Sequence, residues 1–133
     1  MIKGHCLCGE VEYEYAGEIT ELVICHCDQC KRAQGTPFAT NAPIRLEKFR
    51  LTKGQEQLKE HKASATKRRV FCSNCGSPIY SQRLANPAVI RLRVGTISEG
   101  VIPKPDYHIY YDARSDWFEI NDSQEKYGSA KTS

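Results

Sequence analysis

Seven cysteines in three tight groups constrain this chain more than any other feature. The groups are Cys6-x-Cys8, Cys25-x-Cys27-x-x-Cys30 and Cys72-x-x-Cys75. Cysteines this close seldom pair with each other as structural disulfides, but they readily chelate one ion from a tight turn. Seven is odd, so a disulfide framework would leave one thiol over. The N-terminal Met-Ile-Lys-Gly-His-Cys has no apolar core and no small-residue cleavage site. The expected compartment is therefore the reducing cytoplasm, where disulfides rarely persist.

A structural zinc site takes four ligands in a tetrahedron, commonly from two tight turns that the fold brings together. Cys6-Leu-Cys8-Gly9 and Cys72-Ser-Asn-Cys75-Gly76 read as such turns. The glycine after each second cysteine permits positive φ and lets backbone N–H groups approach the sulfurs. The middle group offers Cys25, Cys27 and Cys30 with no fourth cysteine left for it. Three protein ligands and one open position is the pattern of a reactive zinc site. Spacing alone leaves another partition open. Cys27 and Cys30 could join Cys72 and Cys75 in a zinc ribbon, leaving Cys6, Cys8 and Cys25 over. Iron–sulfur binding ranks below zinc, and a redox role below metal binding.

A chain of 133 residues is the length of one domain, read as 1–133 with a core of about 3–127. Its 26% charged and 40% hydrophobic residues fit a globular protein and exclude a disordered one. No apolar run approaches the length of a membrane span. The formal charge of +3 counts thiols as neutral; seven thiolates with two divalent ions would bring it to zero. Net charge is thus no argument for nucleic acid as a partner.

Strand signals dominate. Glu10–Tyr15 alternates, with Val11, Tyr13 and Tyr15 on one face. Further strands are expected in Ile19–Ile24, Ile44–Leu51, Gln57–Ser64, Arg69–Phe71, Ile79–Tyr80, Val89–Val94, His108–Tyr111 and Trp117–Ile120. The one helix is expected to start at Asp28 as N-cap, run to Gln34 and stop at Gly35. The polar tail from Asn121 is expected to fray at its end. The fold class is mainly β and antiparallel, with little helix.

Several residues receive the plainer of two readings. His26 is expected to point at solvent or a backbone carbonyl rather than to move protons, and His108 to be a satisfied core histidine. His5 and His61 need no role. Lys67-Arg68-Arg69 is read as a solvated strand start rather than a patch steering an anionic substrate. Arg91 and Arg93 are expected to share a face near it. Tyr107, Tyr110, Tyr111, Trp117 and Phe118 are expected to be core or rim packing.

Three stretches carry a resemblance: His5-Cys-Leu-Cys-Gly-Glu-Val11, Cys25-His-Cys-Asp-Gln-Cys30 and Phe71-Cys-Ser-Asn-Cys-Gly-Ser77. In that order the chain resembles the glutathione-dependent formaldehyde-activating enzyme family, also called the centromere protein V/Gfa family. Arg32–Phe38, Val94–Thr96 and His108–Trp117 extend the likeness. The resemblance implies an Mss4-like, folded-over β architecture built round two zinc ions per chain. It puts Cys6, Cys8, Cys72 and Cys75 on the structural ion. It puts Cys25, Cys27 and Cys30 on a second, catalytic-type ion, whose site could be only partly filled. It implies a carbon–sulfur lyase acting on S-hydroxymethylglutathione or a related thiol adduct. The partners are then glutathione, or a similar small thiol, and an aldehyde, with neither nucleic acid nor membrane involved. A non-catalytic, zinc-stabilised binding module is the alternative. Oligomeric state is left open.

Overall fold

The computed structural model describes residues 1–131. Its strands are β1 (Ile2–His5), β2 (Glu12–Tyr15), β3 (Val23–Cys25), β4 (Ala39–Arg45), β5 (Phe49–Lys53), β6 (Leu58–Ser64), β7 (Lys67–Cys72), β8 (Pro78–Arg83), β9 (Val89–Arg93), β10 (Ile97–Glu99), β11 (Tyr107–Ile109) and β12 (Glu125–Lys126). One α-helix, α1 (Asp28–Gln34), lies between β3 and β4. The fold is mainly β, as the alternating patterns require. The strands form two sheets, ordered β10-β1-β2-β5 and β12-β11-β3-β4-β9-β8-β7-β6. All pairings are antiparallel except those of β11 with β3 and with β12.

One face of each sheet supplies the main core. From the small sheet come Ile2, Tyr13 and Tyr15, and Val11 joins them from just before β2. From the large sheet come Ala42, Ile44, Val70, Tyr80, Ile90 and Leu92. These are alternate residues of their strands, so the period-two pattern decides which face turns inward. The register locks the layers together: Ile44 pairs with Ile90, Ala42 with Leu92, and Leu92 with Tyr80. Tyr13 is wholly buried, and its hydroxyl is satisfied by Thr96 Oγ1 at 2.7 Å. Burial pushes that phenol up to about 12.

The other face of the large sheet follows from the same alternation. Arg69 pairs with Ser81, Ser81 with Arg91, and Arg91 with Pro43. Lys67 pairs with Arg83, and Arg93 with Asn41. Five cations therefore stand on one face of three adjacent strands. On the core-side parity, Arg68 leaves the row and pairs with Gln82 and Glu60.

The structure departs from the pattern-based strands in four places. Ile44–Leu51 is interrupted, because Leu46–Lys48 makes a turn of 3-10 helix as the chain passes from the large sheet to the small one. Only the end of Ile19–Ile24 is strand; Ile19 and Leu22 are buried by packing without pairing. Trp117–Ile120 is irregular, with Trp117 71% exposed. Of the expected His108–Tyr111 strand, residues 110 and 111 turn away, with Tyr110 in the left-handed region at φ 54. The tail is anchored before its end, and its last two residues, where fraying is expected, lie outside the described residues. β12 pairs with β11, and Lys126 is held by the Asp122 carboxylate at 2.8 Å.

Ile90 has no exposed surface and sits where the two sheets face each other. Ile90→Ala should lower the unfolding free energy by about 2–5 kcal/mol, read from denaturant midpoints. A change below about 1 kcal/mol would mean that the interface can collapse to fill the gap.

Candidate functional site

Two sulfur clusters emerge from these elements. The first joins two hairpin turns, one from each sheet. Cys6 and Cys8 follow β1, and Cys72 and Cys75 flank the turn between β7 and β8. All four sulfurs lie within 4.8 Å of one another. Cys6 Sγ to Cys8 Sγ is 3.5 Å and Cys8 Sγ to Cys72 Sγ is 3.8 Å. A tetrahedron with metal–sulfur arms of zinc length has edges of about 3.8 Å. The donor set and spacing thus suit a tetrahedral, thiophilic ion. The two turns are built alike. Gly9 N–H donates to the Cys6 carbonyl and Gly76 N–H to the Cys72 carbonyl, with φ of 78° and 82°. Leu7 N–H donates to Ser77 Oγ at 2.9 Å and Val11 N–H to Cys6 Sγ at 3.3 Å, tying the turns together and turning amide dipoles onto sulfur.

The second cluster is local in sequence. Cys25 ends β3, Cys27 caps α1 and Cys30 lies in its first turn, their sulfurs all within 4.8 Å. The N-cap is Cys27, not Asp28: the Cys27 sulfur accepts from Cys30 N–H at 3.4 Å, and Asp28 is already helical. Sulfur therefore takes over the capping role expected of the carboxylate. Gly35 stops the helix in the left-handed region, as expected. Cys25 and Cys30 are buried. Hydrogen bonds shared with Cys27 and Cys30, aided by burial, push the Cys25 thiol up. Hydrogen bonds from Cys25 and Cys27, and then one from Arg69, pull Cys30 down. Arg69 Nη2 donates to Cys30 Sγ at 3.5 Å.

The knuckle between these cysteines is held by a chain that the sequence did not announce. His26 is buried, its Nε2 2.7 Å from His108 Nδ1, and His108 Nε2 is 2.8 Å from Asp122 Oδ2. Because the carboxylate only accepts, His108 donates to Asp122 and His26 donates to His108. The rings of Phe38 and Tyr111 pack edge-on against His26. Burial, and then His108, lower His26 to about 4, so it is neutral near pH 7. The solvent-facing position expected for His26 is wrong; the core position expected for His108 is right. Neighbouring cysteines gave no sign of this chain, because its members are about 80 residues apart in sequence.

Cys25 and Cys27 open onto a cavity of about 770 Å³ on the charged face of the large sheet. Lys67, Arg83, Arg91 and Lys131 contribute to its walls, together with Tyr107 and Asn41. Among the described residues, Asp28 is the one carboxylate on the wall, and it pairs with Lys31. None of the described ion pairs involves Lys67, Arg83, Arg91 or Lys131. Burial, then Arg69, lowers Lys67; burial, then Arg83, lowers Arg91. Lys67 and Arg69 thus belong to the site and are not a solvated strand start. Arg91 and Arg93 do share their face, as the alternation required. Of the aromatics, Tyr107 and Tyr110 line the cavity, whereas Trp117 is exposed.

The clusters also show which cysteines stand together: Cys27 and Cys30 with Cys25, and Cys72 and Cys75 with Cys6 and Cys8. The zinc-ribbon grouping does not form. Among the described residues, no helix is long and apolar enough to cross a membrane.

Comparison with known proteins places the chain in a family. The sequence model of the family described as glutathione-dependent formaldehyde-activating enzyme matches residues 1–113. The chain belongs to that family. A protein of Schizosaccharomyces pombe described as an uncharacterized lyase is 29% identical over 82 residues, which is 59% of this chain and 55% of the relative. The match thus spans about half the length of that curated relative. A crystal structure of a Rhodobacter sphaeroides protein, a structural genomics target, superposes with a TM-score of 0.61 at 33% identity, over 76% of this chain and 91% of the other.

The two clusters should respond differently to mutation. Cys75→Ser breaks a link between the sheets and should lose one bound metal and much of the stability, because metal binding to such sites is folding free energy. Cys27→Ser should lose one metal yet stay folded. Metal content and unfolding midpoints of both variants check this; native stability in Cys75→Ser would refute it.

Proposed function

We propose that this chain is a zinc-dependent carbon–sulfur lyase of the glutathione-dependent formaldehyde-activating type. It acts on S-hydroxymethylglutathione or a closely related thiol adduct. In this reading Cys6, Cys8, Cys72 and Cys75 hold a structural zinc, and Cys25, Cys27 and Cys30 hold a second zinc with one position free for substrate. The observation that carries it is a cluster of three sulfurs, with no fourth, two of which, Cys25 and Cys27, stand at the wall of a cationic cavity. The lyase description of the yeast relative agrees with it. Seven unpaired cysteines suit a reducing compartment such as the cytoplasm.

Zinc held by three thiolates would favour the deprotonated form of a substrate thiol and fix its sulfur. Everything else falls to the chain. Lys67, Arg83 and Arg91 would hold the carboxylates of the tripeptide by charge-assisted hydrogen bonds. That anchoring turns the encounter of sulfur and carbonyl into an oriented one. In the joining direction a sulfur lone pair forms the C–S bond. The carbonyl π pair moves to oxygen, which takes up a proton. In the lyase direction the hydroxyl gives back its proton, the C=O bond re-forms and the C–S pair returns to sulfur. The Asp122–His108–His26 chain holds the knuckle between Cys25 and Cys27 in place during both directions.

A thioether cannot become a thiolate, so S-methylglutathione should bind the cobalt-substituted protein much more weakly than glutathione. Glutathione should also change the visible cobalt spectrum, and its apparent affinity should rise with pH until the free thiol is ionised. Equal binding of both ligands without a spectral change would mean that the cavity reads only the peptide.

A further inference from the structure

Arg93 stands out among the buried groups of the large sheet. Its side chain is 3% exposed, yet none of the described ion pairs gives it a carboxylate. Nη1 donates to Ser81 Oγ at 3.3 Å and to the Arg91 carbonyl at 3.1 Å, both neutral acceptors. Nε has no partner at all. Burial lowers Arg93 to about 10, with Cys30 foremost among the groups that oppose the shift. It is therefore still a cation at neutral pH. A buried guanidinium without an anion is strongly destabilising, so an anion must lie close by. Arg69 repeats the pattern. Its Nε is buried and unpartnered, and Nη2 contacts Cys30 Sγ at 3.5 Å.

The second cluster supplies the anionic charge: Arg69 Nη2 touches Cys30 Sγ, and Cys30 is the leading charge that favours the cationic form of Arg93. The first cluster differs: among the described hydrogen bonds, no lysine or arginine side chain donates to its four sulfurs; Val11 N–H donates to Cys6 Sγ, and Cys75 Sγ donates to Ser77 Oγ. The contrast has an electrostatic meaning. Three thiolates around a divalent ion carry a net charge of −1, and an entering thiolate raises this to −2. Two guanidiniums cancel that total.

We infer that Arg69 and Arg93 are positioning residues that supply fixed countercharge to the Cys25, Cys27 and Cys30 cluster, and so make it select an anionic over a neutral fourth ligand. The inference rests on the reading that this cluster holds a metal with an open position. It concerns one residue of β7 that touches Cys30 Sγ and one buried residue of β9 on the same face of the sheet, distinct from the cavity cations that would hold a substrate's carboxylates.

The test uses the full chain with cobalt in both clusters, titrated with azide as the anionic probe and imidazole as the neutral one, each followed in the visible spectrum. Arg69→Met is the first variant, because Arg69 is only half-buried and its loss leaves the core intact. Azide affinity should fall about tenfold, the scale of losing one nearby charge in a partly buried site, while imidazole affinity holds or rises. Arg69→Lys, which keeps the charge, should restore most of the azide affinity. Arg93→Met should act in the same sense, with occupancy of the first cluster as the check on folding. An unchanged azide-to-imidazole ratio in Arg69→Met, with both probes still binding, would overturn the inference and leave the proposed function standing. If neither probe perturbs the native protein's spectrum, the open position itself is absent, and both fall together.

Discussion

The convergence of two hairpin turns on one set of four sulfurs is the constraint on which the rest of the structure depends. The turn after β1 belongs to the small sheet and the turn after β7 to the large one. Where Cys6 and Cys8 meet Cys72 and Cys75, the two sheets are clamped at one end of their shared core. The Leu7 N–H to Ser77 Oγ hydrogen bond repeats the link in a second currency. A core of short strands, several only three or four residues long, has modest area of its own. A metal held by these four sulfurs would join residues far apart in sequence and offset that weakness by restricting the unfolded chain and ordering both turns.

The large sheet then serves two purposes by having two faces. One face carries Ala42, Ile44, Ile90 and Leu92 and closes the core. The other carries Lys67, Arg69, Arg83, Arg91 and Arg93, so many like charges that the face would be costly unless anions answered them. The second sulfur cluster lies on that side, seated on β3 and the first turn of α1. The charge of the sheet and the charge of the cluster are thus one electrostatic unit. The part of that unit formed by Lys67, Arg83 and Arg91 faces a cavity; half-buried Arg69 lies against the Cys30 sulfur, and Arg93 is buried beside Ser81 on the same face.

The histidine chain adds rigidity where the cluster is otherwise held only by local backbone. Asp122 comes from the C-terminal segment, His108 from β11 and His26 from the knuckle. The tail is consequently part of the site's support. β12 pairs with β11, and Lys131 stacks over Tyr107 at 4.4 Å beside the cavity.

Much of this was legible in the chain itself. Alternation in Glu10–Tyr15 and Val89–Val94 identified strands and their buried faces, because side chains in a strand must alternate. The glycines after Cys8 and Cys75 identified two equivalent turns, because only such a residue easily adopts the required positive φ. Local spacing offered Cys25, Cys27 and Cys30 as one group with no fourth cysteine but left the ribbon partition open, and the sulfur positions decide between the two. Tertiary structure alone decided what lies beneath and around that group. Arg69 looked like part of a solvated strand start until sheet order brought it against Cys30, and Arg93, expected on the same face, proved to be buried there. His26 looked exposed until His108, 82 residues away, came into hydrogen-bond reach. Periodicity reports which face of a strand a residue occupies. Which other strands share that face, and what they bury there, depends on pairings between distant segments that no local pattern encodes.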